Sequence, residues 1–149
     1  MDLKFVTCTY IGVYGHALTK GKVYQAVAEE DDRFRVIGNH GKRVWIDKYY
    51  FANGEVEVPI LSSWKFDDPL DDFDLIEVTV TFSNGMKRWC LITTPERLVN
   101  HFKQLHLDPP GFNIQHLIIV RTMNNEDIGQ TLKHLDEQGD IEKATLFLE

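Results

Sequence analysis

The sequence predicts an α+β protein in which residues 1–58 form a small β barrel and residues 74–149 form an α+β unit, with an acidic, aromatic linker at 59–73. Two observations predict this arrangement. Short strand-like runs crowd the first part, whereas the second follows the order β-β-α-β-α-β, typical of helices packed on a mostly antiparallel sheet. With 149 residues and 43% hydrophobic content, the chain can bury a core in one domain or in two small ones.

About five strand-like runs occupy the first part of the chain. They are rich in β-branched and aromatic residues or alternate apolar with polar ones, and they cover 3–10, 21–28, 34–37, 43–46 and 55–58. The turn at 38–41 predicts a hairpin, and 48–51 predicts one helical turn. Short strands at this spacing are typical of a small barrel, and we expect Phe34 and Trp45 in its core.

Three runs in this part carry a family resemblance: 18–24 (LTKGKVY), 34–37 (FRVI) and 44–51 (VWIDKYYF). Through them the first third of the chain resembles a bacterial SH3-like barrel. Tyr50 matches the groove tyrosine of peptide-binding SH3 domains, whereas Asp47 stands where those domains carry a proline, and their tryptophan pair is missing. The resemblance implies the fold. Because such barrels serve many purposes, it does not decide the function.

The second part begins with a predicted hairpin of strands 75–82 and 87–93, joined by a turn at 83–85. Thr94 and Pro95 then predict the start of a helix. The apolar face of that helix is supplied by Leu98, Val99, Phe102 and Leu105.

The rest of the second part alternates strand and helix patterns. Pro109 and Pro110 predict the end of the first helix, and an apolar strand is predicted over 114–120. A second helix capped by Asn124 or Asn125 and closed by Gly139 follows, and then a last strand over 144–148. The core of this part is expected to hold Leu117, Ile119 and Phe102.

No pattern of a catalytic or metal site is found in the sequence. The six histidines include no pair at i, i+4, and the nucleotide-binding and nucleophile motifs with fixed glycines are missing. An EF-hand loop needs a central glycine and a closing glutamate that the acidic residues after Trp64 lack. We therefore expect no enzymatic activity, no cofactor and no metal.

Two further features indicate a cytoplasmic protein. Cys8 and Cys90 lie in separate apolar runs, so we expect buried, reduced thiols. No apolar run approaches the roughly 20 residues of a membrane span, and the first residues lack the pattern of a secretory signal.

The charge of the chain is concentrated in its second part. Residues 1–58 hold equal numbers of basic and acidic residues, so the whole net charge of −7 lies in residues 59–149. Acidic residues are interspersed with aromatic ones between 64 and 77. The acids could bind a basic protein partner, and the bulky rings could anchor it. The predicted partner-binding residues are Trp64, Phe66, Asp67, Asp68, Asp71, Asp72, Phe73, Asp74 and Glu77. The alternative is a solvated linker whose rings dock on its own domains.

In size and acidity the chain resembles the immunity proteins of bacterial polymorphic and contact-dependent toxin systems. The resemblance implies a non-enzymatic protein that occludes the active site of a basic, nuclease-like toxin, its carboxylates mimicking phosphates. It implies no binding to nucleic acid or membrane, and it does not indicate an oligomeric state. The alternatives are a phage-type nucleic-acid mimic that inhibits a host enzyme and an SH3-like adaptor that binds a peptide through Tyr10, Tyr14, Trp45 and Tyr50. An enzyme with an unfamiliar site comes last.

Overall fold

The computed structural model describes residues 4–104, 111 and 113–148, which fall into two compact units. Unit 1 comprises Met1–Ile60 with Asp136–Gly139, and unit 2 comprises Leu61–Leu135 with Asp140–Glu149. The predicted mixed α+β class is confirmed, since each unit contains a five-stranded sheet and helices are few. No helix in the described ranges is both long and apolar enough to cross a membrane.

Unit 1 is built on a curled, half-barrel sheet. Its strands are β1 (Lys4–Cys8), β2 (Val23–Glu29), β3 (Arg33–Ile37), β4 (Arg43–Asp47) and β5 (Phe51–Asn53), with a 3-10 turn at Lys48–Tyr50. They are arranged in the order β4-β3-β2-β1-β5, and every neighbouring pair is antiparallel. The core enclosed by the sheet consists of Val6, Cys8, Ile11, Ala17, Leu18, Tyr24, Phe34, Val36 and Ile46.

Two expectations for this unit were wrong. Phe34 is buried as predicted, but Trp45 is only half-buried because the pairing of Phe34 with Ile46 turns Ile46 inward and Trp45 outward. The strand predicted over 55–58 is found earlier, as β5, and residues 55–58 leave the sheet after Gly54. The left-handed backbone of Gly54, with φ +77°, makes that exit turn.

Unit 2 contains more elements than the predicted order. In sequence they are β6 (Leu61–Phe66), β7 (Ile76–Phe82), β8 (Lys87–Thr93), α1 (Pro95–Gln104), β9 (Leu117–Ile119), α2 (Asn125–Glu137), α3 (Ile141–Ala144) and β10 (Leu146–Phe147). The last two residues of α2 belong to unit 1. The sheet order is β10-β8-β7-β6, with β9 parallel to β8 and the other pairs antiparallel. Ile128 and Leu132 of α2 are fully buried in the same core cluster as β7 and β8.

Residues 61–66, predicted to lie in a linker, form the edge strand β6. Leu61, Trp64 and Phe66 pack against the core of unit 2. A register shift between Leu61 and Ser63 breaks the strict alternation that would have revealed a strand. The segment that follows β6 is therefore the loop of a β6–β7 hairpin.

The core of unit 2 also differs from expectation at two positions. Ile118 and Val120 are buried, whereas Ile119 is 52% exposed, so β9 presents the opposite set of side chains from the one predicted. Phe102 of α1 is 44% exposed, and α1 has no fully buried residue. The predicted contribution of Leu105 and the predicted helix end at Pro109 and Pro110 lie outside the described residues.

The predicted helix signals are confirmed where they can be checked. The hydroxyl of Thr94 accepts a hydrogen bond from the amide of Arg97 at 3.2 Å, as an N-cap does. The side chain of Asn124 accepts one from the amide of Asp127 at 2.7 Å, so Asn124 is the cap of α2. Gly139 follows that helix with φ +74°.

Cys8 and Cys90 are free and completely buried, as predicted. Burial raises the pKa of the Cys8 thiol to about 11 and that of Cys90 to about 12. We expect that neither thiol reacts with Ellman's reagent in the native protein at about pH 8, and that both react after unfolding in guanidinium. Rapid labelling of the native protein would contradict the burial of these thiols.

The same raised pKa values set a pH dependence of stability. Above about pH 9 the unfolded chain loses thiol protons that the folded chain keeps, so the folded state binds more protons. The free energy of unfolding is therefore expected not to depend on these thiols below about pH 8. It is expected to fall as the pH rises from there toward 11 and 12, the pKa values of the two thiols in the folded state. Chemical denaturation with a Cys8→Ala/Cys90→Ala control isolates the thiol contribution.

Candidate functional site

The acidic loop, defined as residues 67–75 between β6 and β7, is closed at its base by two of its own carboxylates. Asp67 accepts a hydrogen bond from the hydroxyl of Thr79 at 2.5 Å, and Asp68 accepts one from the amide of Glu77 at 2.9 Å. The amide of Asp67 also donates to the carbonyl of Glu77 at 2.8 Å. These two carboxylates fasten the loop to β7, so their hydrogen bonds stabilise the fold of the loop.

The other side of the acidic loop is held by α1. The guanidinium of Arg97 donates to the carbonyls of Leu70 at 2.8 Å and Phe73 at 3.0 Å. The amide group of Asn100 donates to both carboxylate oxygens of Asp74, at 3.0 and 3.1 Å. Hydrogen bonds on both sides give the acidic loop a defined shape without a bound partner.

Asp71 and Asp72 remain at the tip of this loop, and both are exposed. Within the described ranges, neither carboxylate has a hydrogen bond or an ion pair. Phe73 beside them is 52% exposed. The tip therefore presents two unneutralised charges and an aromatic ring on a backbone that its neighbours hold in place.

Together the loop and the helix line an open groove of about 460 Å³, the acidic groove. Its lining residues are Leu70, Asp71, Asp72, Phe73, Asp74, Arg97, Asn100 and Gln104. Three carboxylates face one guanidinium, and that guanidinium donates to backbone carbonyls. The groove is therefore acidic, and it suits an ammonium or guanidinium group whose alkyl stem lies along Phe73.

The nine predicted binding residues divide into three groups. Asp71, Asp72, Phe73 and Asp74 line the acidic groove. Asp67 and Asp68 hold the loop, and Glu77 lies on β7 opposite Leu91, outside the lining.

Trp64 and Phe66 form the third group. Their rings meet edge to face with centroids 5.1 Å apart, and both pack against the core of unit 2. Both side chains are half-buried, so they pack within unit 2, and their predicted contact with a partner stays a prediction.

Three groove residues escaped sequence reasoning: Arg97, Asn100 and Gln104. They are spaced three and four residues apart, so they share one face of α1, away from the apolar positions. This polar stripe on α1 was the sequence feature that could have predicted their place in the groove. What the sequence does not show is that this face meets the loop between β6 and β7.

Unit 1 contains a tyrosine cluster, defined as Tyr10, Tyr14, Tyr49 and Tyr50. The rings of Tyr10 and Tyr50 stack with centroids 4.4 Å apart, and Tyr14 meets Tyr50 edge-on at 5.2 Å. A hydrogen bond with Tyr10, together with burial, raises the pKa of Tyr50 to about 12. Three of the four residues predicted for an adaptor surface thus come together, while Trp45 lies against Arg33 and Arg35 on the outward face of β3 and β4.

Comparisons with protein-family models, with curated protein sequences and with solved structures find no match to this chain. Among the described residues, no group of three or more histidine, cysteine, aspartate or glutamate side chains is placed to hold a metal ion.

Proposed function

We propose that this chain is a non-enzymatic binding protein whose acidic groove takes up a cationic segment of a partner protein. The observation that carries the proposal is that the carboxylates of the acidic loop fall into two groups. Asp67, Asp68 and Asp74 are engaged in hydrogen bonds that shape the loop, whereas Asp71 and Asp72 are exposed without an intramolecular partner in the described part of the chain.

A loop held in this way would bind with little loss of conformational entropy. Much of the ordering cost of association falls on segments that are mobile when free, and this loop is fastened to β7 and to α1. The exposed charges would increase the rate of association with a basic surface, and Phe73 would supply apolar contact area.

The specific partner we propose is a basic, nuclease-like bacterial toxin, which makes the chain an immunity protein. Carboxylates at the loop tip would occupy the cleft where the toxin otherwise holds phosphates. The net charge of −7 on 149 residues supports this choice of partner. The SH3-like arrangement of unit 1 and a cytoplasmic location, supported by strand order and by two reduced cysteines, belong to the same proposal.

Growth provides the direct test of this function. The product of the gene beside this one is expressed alone and with this chain, and cell growth is recorded. We expect growth arrest by the neighbouring product and rescue by the chain. If the chain binds that product but restores no growth, the immunity function is wrong while the binding function stands.

The groove itself is tested with Asp71→Asn/Asp72→Asn. We expect the dissociation constant of the partner complex to rise about ten- to a hundredfold, mainly through slower association, and the loss to shrink in high salt. The matched control is Glu55→Gln/Glu57→Gln, which removes two exposed charges from unit 1. Equal affinity of the Asp71/Asp72 variant and the wild type at low salt would exclude the groove. An equal loss in the control would indicate a general charge effect.

A second candidate function is favoured by the tyrosine cluster. Stacked and edge-on rings at 4.4–5.4 Å form an aromatic surface in unit 1, and Tyr49 is 77% exposed. Such a surface suits a proline-rich peptide in the polyproline II conformation. Binding of a PxxP peptide that is lost in Tyr49→Ala and unaffected by Asp71→Asn/Asp72→Asn would support an adaptor.

A phage-type nucleic-acid mimic would use the acidic groove. Inhibition of a nucleic-acid enzyme of the host would distinguish it from an immunity protein.

A further inference from the structure

The outward face of β3 and β4 carries a cationic group of side chains that the proposed function leaves unused. Phe34, Val36 and Ile46 point into the core, so the alternate positions of both strands share the other face. That basic face consists of Arg33, Arg35, Ile37, Arg43 and Trp45, together with one carboxylate, Asp47, opposite Arg33. The register places Arg35 directly opposite Trp45 and Arg43 directly opposite Ile37, which makes the face continuous.

Two guanidinium groups are held in place by the tryptophan ring. The guanidinium carbon of Arg33 lies 4.6 Å from the ring centroid of Trp45, and that of Arg35 lies 6.0 Å away. Contacts of this kind fix a guanidinium without using its N–H donors. Arg33 uses its donors on Glu30, at 2.9 and 3.1 Å, so the donors left to bind an anion are those of Arg35.

The face has few internal anions to satisfy it. Arg33 pairs with Glu30 at 2.9 Å, but neither Arg35 nor Arg43 forms an ion pair within the described ranges. The Nε atom of Arg35 is buried and has no hydrogen-bond partner there. Asp47, at the end of β4, accepts a hydrogen bond from the amide of Tyr49 at 2.7 Å. Glu30 and Asp47 both lie beside Arg33, so the part of the basic face that is short of acceptors is that of Arg35 and Arg43.

The basic face also lies at the edge of the sheet. β4 is the first strand in the order of unit 1, with β3 on one side and no described strand on the other. An edge strand has main-chain donors and acceptors that can pair with an added strand. The cationic side chains and the unpaired main chain of β4 both suit an extended acidic peptide segment.

We propose that an extended acidic segment of a partner protein adds alongside β4, with its carboxylates on the basic face. Side chains two residues apart on such a strand are separated by about 7 Å and lie on one face. One carboxylate would lie beside Arg43, and the next would lie beyond Trp45, within reach of Arg35. The intervening side chains turn toward Val44 and Ile46 and are therefore apolar.

A protein segment fits this face better than a nucleic acid does. The ring of Trp45 is already covered by Arg33 at 4.6 Å, so it offers no open platform for a base. A nucleic acid also cannot pair with the main chain of β4.

The probe is a rhodamine-labelled peptide in which glutamate alternates with valine, and its binding is followed by fluorescence anisotropy at low salt. We expect Arg35→Gln/Arg43→Gln to raise its dissociation constant by at least about tenfold. Arg43→Gln alone, at an exposed position, should raise it by a few-fold, which guards against a folding defect. The matched control is Lys87→Gln, an exposed cation of unit 2, with affinity unchanged.

A second peptide tests the strand pairing. N-methylation of alternate backbone amides keeps the charges and removes the donors that would pair with β4, so we expect its binding to be lost. The proposal is overturned if the wild type does not bind the first peptide. Equal binding by the double arginine variant, or equal binding of the methylated peptide, would also overturn it. So would tighter, arginine-dependent binding of a single-stranded oligonucleotide, since that would make the basic face a nucleic-acid site.

Discussion

Lys20→Met is expected to lower the free energy of unfolding by about 3–5 kcal/mol, and the melting midpoint by about 10 °C or more. The ammonium of Lys20 lies 2.6 Å from a carboxylate oxygen of Asp136 and 2.9 Å from its carbonyl, and both residues belong to unit 1. The two side chains are only 11% and 3% exposed. Methionine fills the space but leaves a carboxylate buried without its cation.

Two further variants separate charge from packing at this site. Lys20→Met/Asp136→Leu removes both charges, and we expect it to recover at least half of the loss, because an apolar pair avoids the desolvation penalty. Lys4→Met breaks a pair whose side chains are 43% and 39% exposed, and Glu29 keeps Lys48 at 2.6 Å, so only a small effect is expected. If Lys4→Met is as harmful as Lys20→Met, burial is not the cause.

The buried pair itself could not be foreseen from the sequence. Lys20 lies in a turn before β2, and Asp136 lies near the end of α2, 116 residues later. Each residue alone is typical of a solvated surface. Only the placement of residues 136–139 in unit 1 brings the two together.

Local signals predicted several elements of the fold, although β6 was missed and the last strand of unit 1 was misplaced. The hairpin of β7 and β8, the cap at Thr94 and the glycine after α2 follow from alternation and capping rules, and the structure confirms them. Register was harder, because a shift of one residue exchanges the two faces of a strand. In β9 the run Leu117–Ile119 is apolar on both faces, so its pattern does not show which face is buried.

The candidate site was predicted in composition but not in roles. The high density of acidic residues predicted a binding surface at 64–77, and four of the nine predicted residues line the acidic groove. Composition cannot distinguish Asp68, which accepts from a backbone amide, from Asp71, which does not. That difference depends on hydrogen bonds to β7 and to α1, which join residues distant in sequence.

Trp64→Ala and Phe73→Ala are expected to have opposite consequences, although both remove an aromatic ring from the same segment. Trp64 packs on the core of unit 2 and meets Phe66 at 5.1 Å, so its loss should cost about 2–4 kcal/mol of stability. Phe73 is 52% exposed in the lining of the acidic groove, so its loss should leave the melting midpoint within about 2 °C. Partner affinity should respond in the reverse order.

Thermal unfolding and titration of the partner, measured on the same preparations, check both halves of this prediction. At a temperature where Trp64→Ala is still folded, its dissociation constant should stay within about threefold of the wild type, whereas Phe73→Ala should weaken binding about tenfold or more. Phe66→Ala serves as the matched control, because its ring shares the internal packing of Trp64 and should lower stability without changing affinity. A Trp64→Ala protein that melts like the wild type but no longer binds would show that Trp64 is an anchor for the partner. The docking surface would then extend along β6, beyond the acidic groove.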